Sequence, residues 1–339
     1  MTTYSARPRQ RFNLQCAGST EESDRGVKIT RFAPSTTGPA HLGTLYAALI
    51  AWLFARSQGG RAILRLENLD PQRCKEAYLE EMVAILRTCG LNFDQVQRQD
   101  ARTEHYQAAL EGLAARDRVY VCRCSRKRTK ALGQTTPEGG FGYDNHCRSN
   151  LWHGQPYEGS LRLRLDHDAL SFVDHLEHRH TTIVAELFGD PIIKRRDGAF
   201  AYHFASTLDD ADAGVTDVVR GRDLVWSTPP QIALRNALGL PIPQYHHHAL
   251  LLESQSQKLA KLHGSLPAAQ VLDHRSPEEL VGLLAWLMGL LETPEAIKPD
   301  TLIATFSWQA LPRHDWLVSW QPPKLSRAPV DWSRSHEHR

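Results

Sequence analysis

The order of apolar and polar positions divides the chain into alternating strand-like and helix-like stretches. Ile29 to Phe32 closes a short alternating apolar run, as a strand does. Ala33 to Ala40 is loop chemistry, with two prolines, a glycine, a serine and two threonines. Beyond His41, the apolar positions Leu42, Leu45, Tyr46, Leu49, Leu53 and Phe54 follow helical spacing until Gly59 and Gly60 stop it. Arg61 to Glu67, RAILRLE, predicts a second strand, and Lys75 to Cys89 an amphipathic helix carrying Tyr78, Leu79, Met82, Val83 and Leu86. Ala101 to Arg118 repeats the helical pattern with Tyr106, Ala109, Leu110 and Leu113. Strand, helix, strand, helix in this order predicts an α/β fold with a parallel, doubly wound sheet.

The texture changes at Val119. Val119 to Cys124 is strand-like, and a basic segment and a long Gly/Pro/Thr-rich loop follow. Ser160 to Leu165 and Pro191 to Lys194 alternate, and Asp197-Gly198 reads as a hairpin turn into a strand at Phe200 to Phe204. The core resumes at Thr216 to Arg220, a short buried strand, and at Ser227 to Leu238, a helix with prolines in its first turn. A last helix is predicted over Pro277 to Leu291, with Leu280, Leu283, Leu284, Leu287 and Leu291. The expected organisation is a tail over residues 1–26, the first half of a nucleotide-binding fold over 27–118 and an insertion over 119–180. The second half follows over 181–262, then a short helical region over 263–321 and a polar tail over 322–339.

Composition changes this picture little. The chain is 41% hydrophobic and 23% charged, with a net charge of +2, which excludes a globally basic nucleic-acid binder but not a local basic face. No apolar run approaches the ~18 residues that span a bilayer, so no membrane partner is expected. The N-terminus lacks an apolar signal core. Arg7, Arg9 and Arg11 resemble a transit peptide, but Glu21, Glu22 and Asp24 argue against one. Six cysteines without a signal segment point to reduced thiols and a candidate metal site; a cytoplasmic protein and a monomer are expected.

The candidate chemistry lies at loop positions. A strand feeding a small-residue loop delivers His41 and Gly43 to a helix N-terminus, whose free N–H groups suit phosphate. Alone, this is also what a plain strand–helix turn with a solvated histidine looks like. Lys258 and Lys261, in QKLAK, form a basic loop more than two hundred positions downstream. No G-x-x-x-x-G-K-[ST] is present, which leaves a P-loop kinase unsupported. Cys122, Cys124 and Cys147 offer three soft ligands in a loop-rich insertion, one short of a structural zinc site. His146 or His153 would be the obvious fourth, although His146 adjoins Cys147; three unconnected thiols are the alternative. Cys16, Cys74 and Cys89 show no ligand spacing, and no role is assigned to His175, His178 and His180 or to His246, His247 and His248.

The segment RFAPSTTGPAHLG resembles the first signature of class I aminoacyl-tRNA synthetases of the bacterial glutamyl type, HLGT standing for its "HIGH" tetrad. QKLAK resembles the "KMSKS" loop, with Ala260 where a serine is common. The resemblance implies a Rossmann-like catalytic domain with an inserted zinc-bearing, acceptor-type subdomain, and ATP and Mg²⁺ at His41, Gly43, Lys258 and Lys261. It implies a glutamate pocket of Arg31, Phe32, Ala33, Pro34, Ser35, Glu67, Tyr202 and Arg220. Glu67 with Ala33 and Ser35 would hold the ammonium, Arg31 and Tyr202 one carboxylate, and Arg220 the other. Ser206 stands where the family usually has an asparagine. The pattern C-x-C…Y-x-x-x-C makes Tyr143 the expected fourth ligand of Zn²⁺, beside Cys122, Cys124 and Cys147. After Lys261 the chain runs only to Arg339, which looks too short for an anticodon-binding domain. That fits the truncated paralogues, the glutamyl-Q tRNA(Asp) synthetases, and implies L-glutamate, ATP and queuosine-bearing tRNA(Asp) as substrates. Basic residues between Arg123 and Lys130 are expected phosphate contacts. Two other readings stay open: a minimal glutamyl-tRNA synthetase charging a tRNA 3′ end, and a non-catalytic RNA-binding relative.

Overall fold

The computed structural model describes residues 26–137, 139–173, 179–252 and 266–330. Its centre is a five-stranded sheet, all parallel, in the order β10-β9-β1-β2-β3. These strands are β1 (Ile29–Phe32), β2 (Arg61–Leu66), β3 (Gln95–Arg98), β9 (Asp217–Gly221) and β10 (Gln244–His248). The first crossovers carry α1 (Leu42–Arg56) and α2 (Glu76–Thr88). Both bury their apolar stripes in one core, with Leu45, Leu49, Leu53, Met82 and Leu86 under its surface. The return crossover carries α7 (Thr228–Leu238), which packs instead with α3 (Thr103–Ala114) and α6 (Tyr202–Asp212). The sheet is therefore wound in both directions, and it reverses between β1 and β9. Such a reversal opens a crevice at the carboxyl ends of the strands, the usual ligand site in open α/β sheets.

The inserted region forms a second sheet, antiparallel, of β4 (Val119–Cys122), β5 (Ser160–Leu163) and β8 (Ile192–Lys194). α4 (Arg126–Leu132) lies between β4 and β5, capped by the Ser125 hydroxyl accepting from the Arg128 N–H. The hairpin β6 (Ala169–Val173) and β7 (Arg179–Ile183), and the single turn α5 (Val184–Leu187), complete it. Because β8 bonds to β5, the inserted sheet reaches Lys194 rather than ending at residue 180.

The predicted strand at Phe200 to Phe204 is not formed. The Asp197-Gly198 turn is present, with Gly198 at φ +87°, but pairing stops at a single bridge between Lys194 and Phe200. α6 begins two residues later. Phe204, Asp210 and the residues between them are buried, a continuous run that a helix wedged between sheet and α7 satisfies. The region after the lysine loop also differs from a purely helical one. It holds α8 (Ala268–Leu272) and α9 (Pro277–Leu287), and a sheet of β11 (Leu251–Leu252), β12 (Trp316–Gln321) and β13 (Lys324–Pro329). β13 falls within the stretch read as a polar tail. It pairs with β12 along its whole length, Leu325 packs on the core, and the Arg327 guanidinium adds cation–π contact, 3.9 Å over the Trp286 ring and 4.3 Å over Trp316. No helix among the described residues is long and apolar enough to cross a membrane.

α9 starts with a reciprocal capping box between Ser276 and Glu279, and its interior contains Gly282. A Cβ at Gly282 would lie 1.7 Å from the Glu295 carbonyl oxygen. Alanine is the better helix former by ~1 kcal/mol, but here overpacking, at about 1–3 kcal/mol, acts against it. Gly282→Ala is expected to lower the thermal midpoint; an unchanged or higher midpoint would contradict this packing.

Candidate active site

The crevice between β1 and β9 is lined by arginines that emerge from strands. Arg31, on β1, is 3% exposed and donates from Nε to Asp210 Oδ1 at 3.1 Å and from Nη1 to the Val219 carbonyl at 3.2 Å. Arg65, on β2, is 1% exposed, bonding Asp210 Oδ1 at 2.5 Å and Glu67 Oε1 at 3.4 Å. Arg235, on α7, lies 3.7 Å from the other Asp210 oxygen. Asp210 thus faces three buried guanidiniums. Burial works against its ionisation, but Arg65, Arg31 and Arg235 outweigh that and hold it at about 2. Its neighbour Asp209 accepts from Gln99 at 2.8 Å, Arg102 at 2.6 Å and the Tyr106 hydroxyl at 2.9 Å.

Glu67 is the next residue after β2. Its backbone is fixed by a parallel bridge to Ser35 and by its N–H donating to the Pro34 carbonyl at 3.1 Å. Burial pushes its carboxyl up to about 7, against the pull of Arg65 and Arg31. The Tyr202 phenol is raised first by burial and then by the Glu67 charge, and it also senses Arg220, Arg31 and Arg65. These four expected residues, Arg31, Glu67, Tyr202 and Arg220, therefore lie within electrostatic reach of one another, and the Ala33–Ser35 loop adjoins Glu67 through the Ser35 bridge.

Arg220 differs from the other arginines. It is 5% exposed, yet no carboxylate among the described residues lies within 4.0 Å of it. Its Nη2 donates to the Thr228 hydroxyl at 2.7 Å, Nη1 to Gln231 Oε1 at 2.9 Å and Nε to His247 Nε2 at 3.2 Å. Burial lowers its pKa, opposed in part by the more distant Asp210 charge. Sequence reading missed Arg65, Asp210, Thr228, Gln231 and His247. A visible signal existed for two: an arginine inside the apolar strand RAILRLE, and an acidic pair inside a helix.

At the start of α1, His41 is the N-cap. Its Nδ1 accepts from the Thr44 N–H at 3.2 Å, which leaves the proton of the neutral ring on Nε2; burial lowers the pKa of this imidazole. A Cβ at Gly43 would sit 3.3 Å from His41 Nδ1, so glycine keeps the ring folded against the helix end. The Leu42 N–H donates to the Leu266 carbonyl at 3.0 Å, while the Gly43 N–H has no backbone or side-chain acceptor among the described residues. Lys258 and Lys261 lie outside the described residues.

In the insertion, Cys122, Cys124 and Cys147 present sulfurs within 4.8 Å of one another. Cys124 Sγ and Cys147 Sγ are 3.5 Å apart, near the roughly 3.8 Å of two thiolates sharing a tetrahedral zinc with Zn–S bonds of about 2.3 Å. The Tyr143 hydroxyl is 3.3 Å from Cys122 Sγ and 3.7 Å from Cys124 Sγ, and accepts the Cys147 N–H at 2.9 Å. His146 does not join the group, and His153 points to Asp117 at 3.6 Å. A metal ion fits this cluster, with the Arg128 guanidinium 3.6 Å from Cys124 Sγ to offset thiolate charge.

Comparison with known proteins agrees with this architecture. Residues 27–318 match the family described as tRNA synthetases class I (E and Q), catalytic domain. Glutamyl-Q tRNA(Asp) synthetase of Methylococcus capsulatus is 38% identical over 276 residues, covering 80% of this chain and 88% of that protein. The Burkholderia mallei protein of the same name is 40% identical over 266 residues, covering 77% and 88%. In fold, the chain resembles the crystal structure of a glutamate tRNA ligase from Elizabethkingia meningosepticum in complex with its amino acid. The TM-score is 0.69 at 23% identity, with 84% of this chain and 66% of that longer chain covered. This chain belongs to the class I tRNA synthetases (E and Q), a family of ligase enzymes, alongside the glutamyl-Q tRNA(Asp) synthetases.

Proposed function

We propose that the protein activates L-glutamate with ATP, without tRNA, and transfers the glutamyl group to the queuosine base at the wobble position of tRNA(Asp). The observation that carries the glutamate reading is Arg220, a buried cation surrounded by uncharged acceptors. L-Glutamate brings two carboxylates and one ammonium, a net charge of −1, to a crevice whose positive charge is incompletely matched. Arg220 takes one carboxylate. Arg31, held by Asp210 through Nε with Nη2 left over, takes the other with the Tyr202 hydroxyl. Glu67 takes the ammonium, with Ala33 and Ser35 beside it.

In activation, a carboxylate oxygen forms a bond to the α-phosphorus of ATP and the bond to pyrophosphate breaks. Positioned donors supply most of the help such a transfer needs. His41 Nε2–H and the Gly43 N–H are those donors at the helix end, and Mg²⁺ arrives with the nucleotide. Lys258 and Lys261 are assigned to the leaving pyrophosphate. In transfer, a hydroxyl of the queuosine cyclopentene diol attacks the acyl carbon and AMP leaves. The names of the relatives support this acceptor. Cys122, Cys124, Tyr143 and Cys147 would hold Zn²⁺, and its contribution there would be structural rather than catalytic.

Labelled glutamate, offered with tRNA(Asp) with and without queuosine and with tRNA(Glu), tests the acceptor directly. Label only on queuosine-bearing tRNA(Asp) is expected; label on tRNA(Glu) would make the enzyme a minimal glutamyl-tRNA synthetase instead. The ammonium site gives a pH prediction. Only ionised Glu67 holds an ammonium, so kcat/KM for glutamate in ATP–pyrophosphate exchange should level off above about pH 7. Below it, kcat/KM should fall about tenfold per unit. Glu67→Gln should remove exchange throughout, and a flat profile down to pH 6 would refute the assignment. For the metal, elemental analysis should find one zinc per chain, lost in Cys124→Ser together with thermal stability. A zinc-free wild-type protein would reject the site.

A further inference from the structure

Three of the buried arginines around the crevice, Arg31, Arg65 and Arg235, share one carboxylate, Asp210. Arg220 alone is seated in a neutral cradle, built from α7 and β10: the Thr228 hydroxyl, the Gln231 amide oxygen and His247 Nε2. The orientation of that amide is set further back. Gln231 Nε2 donates to the Ser206 hydroxyl at 3.0 Å, and this hydroxyl donates to the His203 carbonyl at 3.4 Å, one turn earlier on α6. With its NH₂ end engaged by Ser206, the amide presents oxygen to Arg220. A hydrogen bond is supplied where a salt bridge would be the ordinary way to bury an arginine.

We infer that Gln231, oriented by Ser206 and assisted by Thr228 and His247, is a specificity-determining positioning residue: it aims Arg220 while leaving the positive charge for a substrate carboxylate, and so selects glutamate over glutamine. This rests on the reading that Arg220 binds a carboxylate of glutamate, and specifically the side-chain one, the group that glutamine lacks. An internal acid at the same place would stabilise the empty protein and satisfy the guanidinium in advance. The neutral cradle holds Arg220 equally still and leaves the cation to its ligand. A glutamine substrate, carrying an amide where glutamate has its second carboxylate, leaves that cation unpaired. Ser206 thereby acts through Gln231 rather than on the substrate.

Gln231→Glu changes almost only charge and is the direct test, made in the full chain by glutamate-dependent ATP–pyrophosphate exchange. The KM for glutamate should rise about tenfold or more, with the KM for ATP within twofold of wild type. The preference for glutamate over glutamine in kcat/KM should fall about tenfold, and the thermal midpoint should hold or rise. Ser206→Ala, which removes the anchor of the amide, should raise the glutamate KM by a smaller factor in the same direction. A stable Gln231→Glu enzyme with unchanged glutamate KM and unchanged preference would overturn the inference, as would equal rises in both KM values. A wild-type enzyme with no glutamate-dependent exchange would overturn the underlying glutamate reading itself.

Discussion

Asp210 is the group on which the site depends. It sits on a helix over the centre of a parallel sheet, 3% exposed, with guanidiniums from β1, β2 and α7 converging on its two oxygens. Removing one member of a buried ion pair typically costs about 3–5 kcal/mol, because the partner is left charged and dry. Here one carboxylate serves three partners; its loss would leave Arg31 and Arg235 in that condition, while Arg65 would keep Glu67 at 3.4 Å. The cluster fixes α6 against the sheet and fixes Arg31 at the mouth of the crevice. It also separates arginines that are paired with a carboxylate from Arg220, which has none within 4.0 Å among the described residues.

The remaining parts of the fold are placed around that balance. Reversal of strand order between β1 and β9 opens the space. The same loop that leaves β1 supplies the wall beside Glu67 and then the N-cap of α1, so the amino-acid site and the helix end assigned to phosphate are consecutive in the chain. The cysteine cluster lies on a separate small sheet, where Cys122 ends β4 and a Cβ at Gly159 would collide with the Cys122 carbonyl at 2.4 Å.

Much of this was legible in the sequence, for identifiable reasons. The first βαβα stretch has clean periodicity, and its helices bury the residues that the spacing picks out, such as Leu45, Leu49 and Leu86. Arg31, Glu67, Tyr202 and Arg220 could be picked out through the family resemblance, and three of them sit at or just beyond strand ends. The Arg220 cradle was not legible, because Thr228, Gln231 and His247 come from α7 and β10 and meet only when the sheet is assembled. The histidine run 246–248, to which no role was assigned, is part of an edge strand. His246 bonds Asp217 at 2.8 Å, His247 supports Arg220, and the His248 ring meets Tyr46 edge-on at 5.6 Å. Polar composition hid this strand, and it hid β13 as well, because specific polar or cation–π partners contribute to holding both. Phe200 to Phe204 misled in the opposite sense: aromatic residues after a turn read as a strand, while packing against α7 made a helix.

The central claim is that a buried, unneutralised Arg220 waits for the carboxylate of the substrate. Calorimetric titration of glutamate and of glutamine into the enzyme, each with a non-hydrolysable ATP analogue, measures it without any chemical step. The account predicts that glutamate binds about a hundredfold or more tightly than glutamine. Equal affinity for the two would show that the charge on Arg220 is not what the pocket uses.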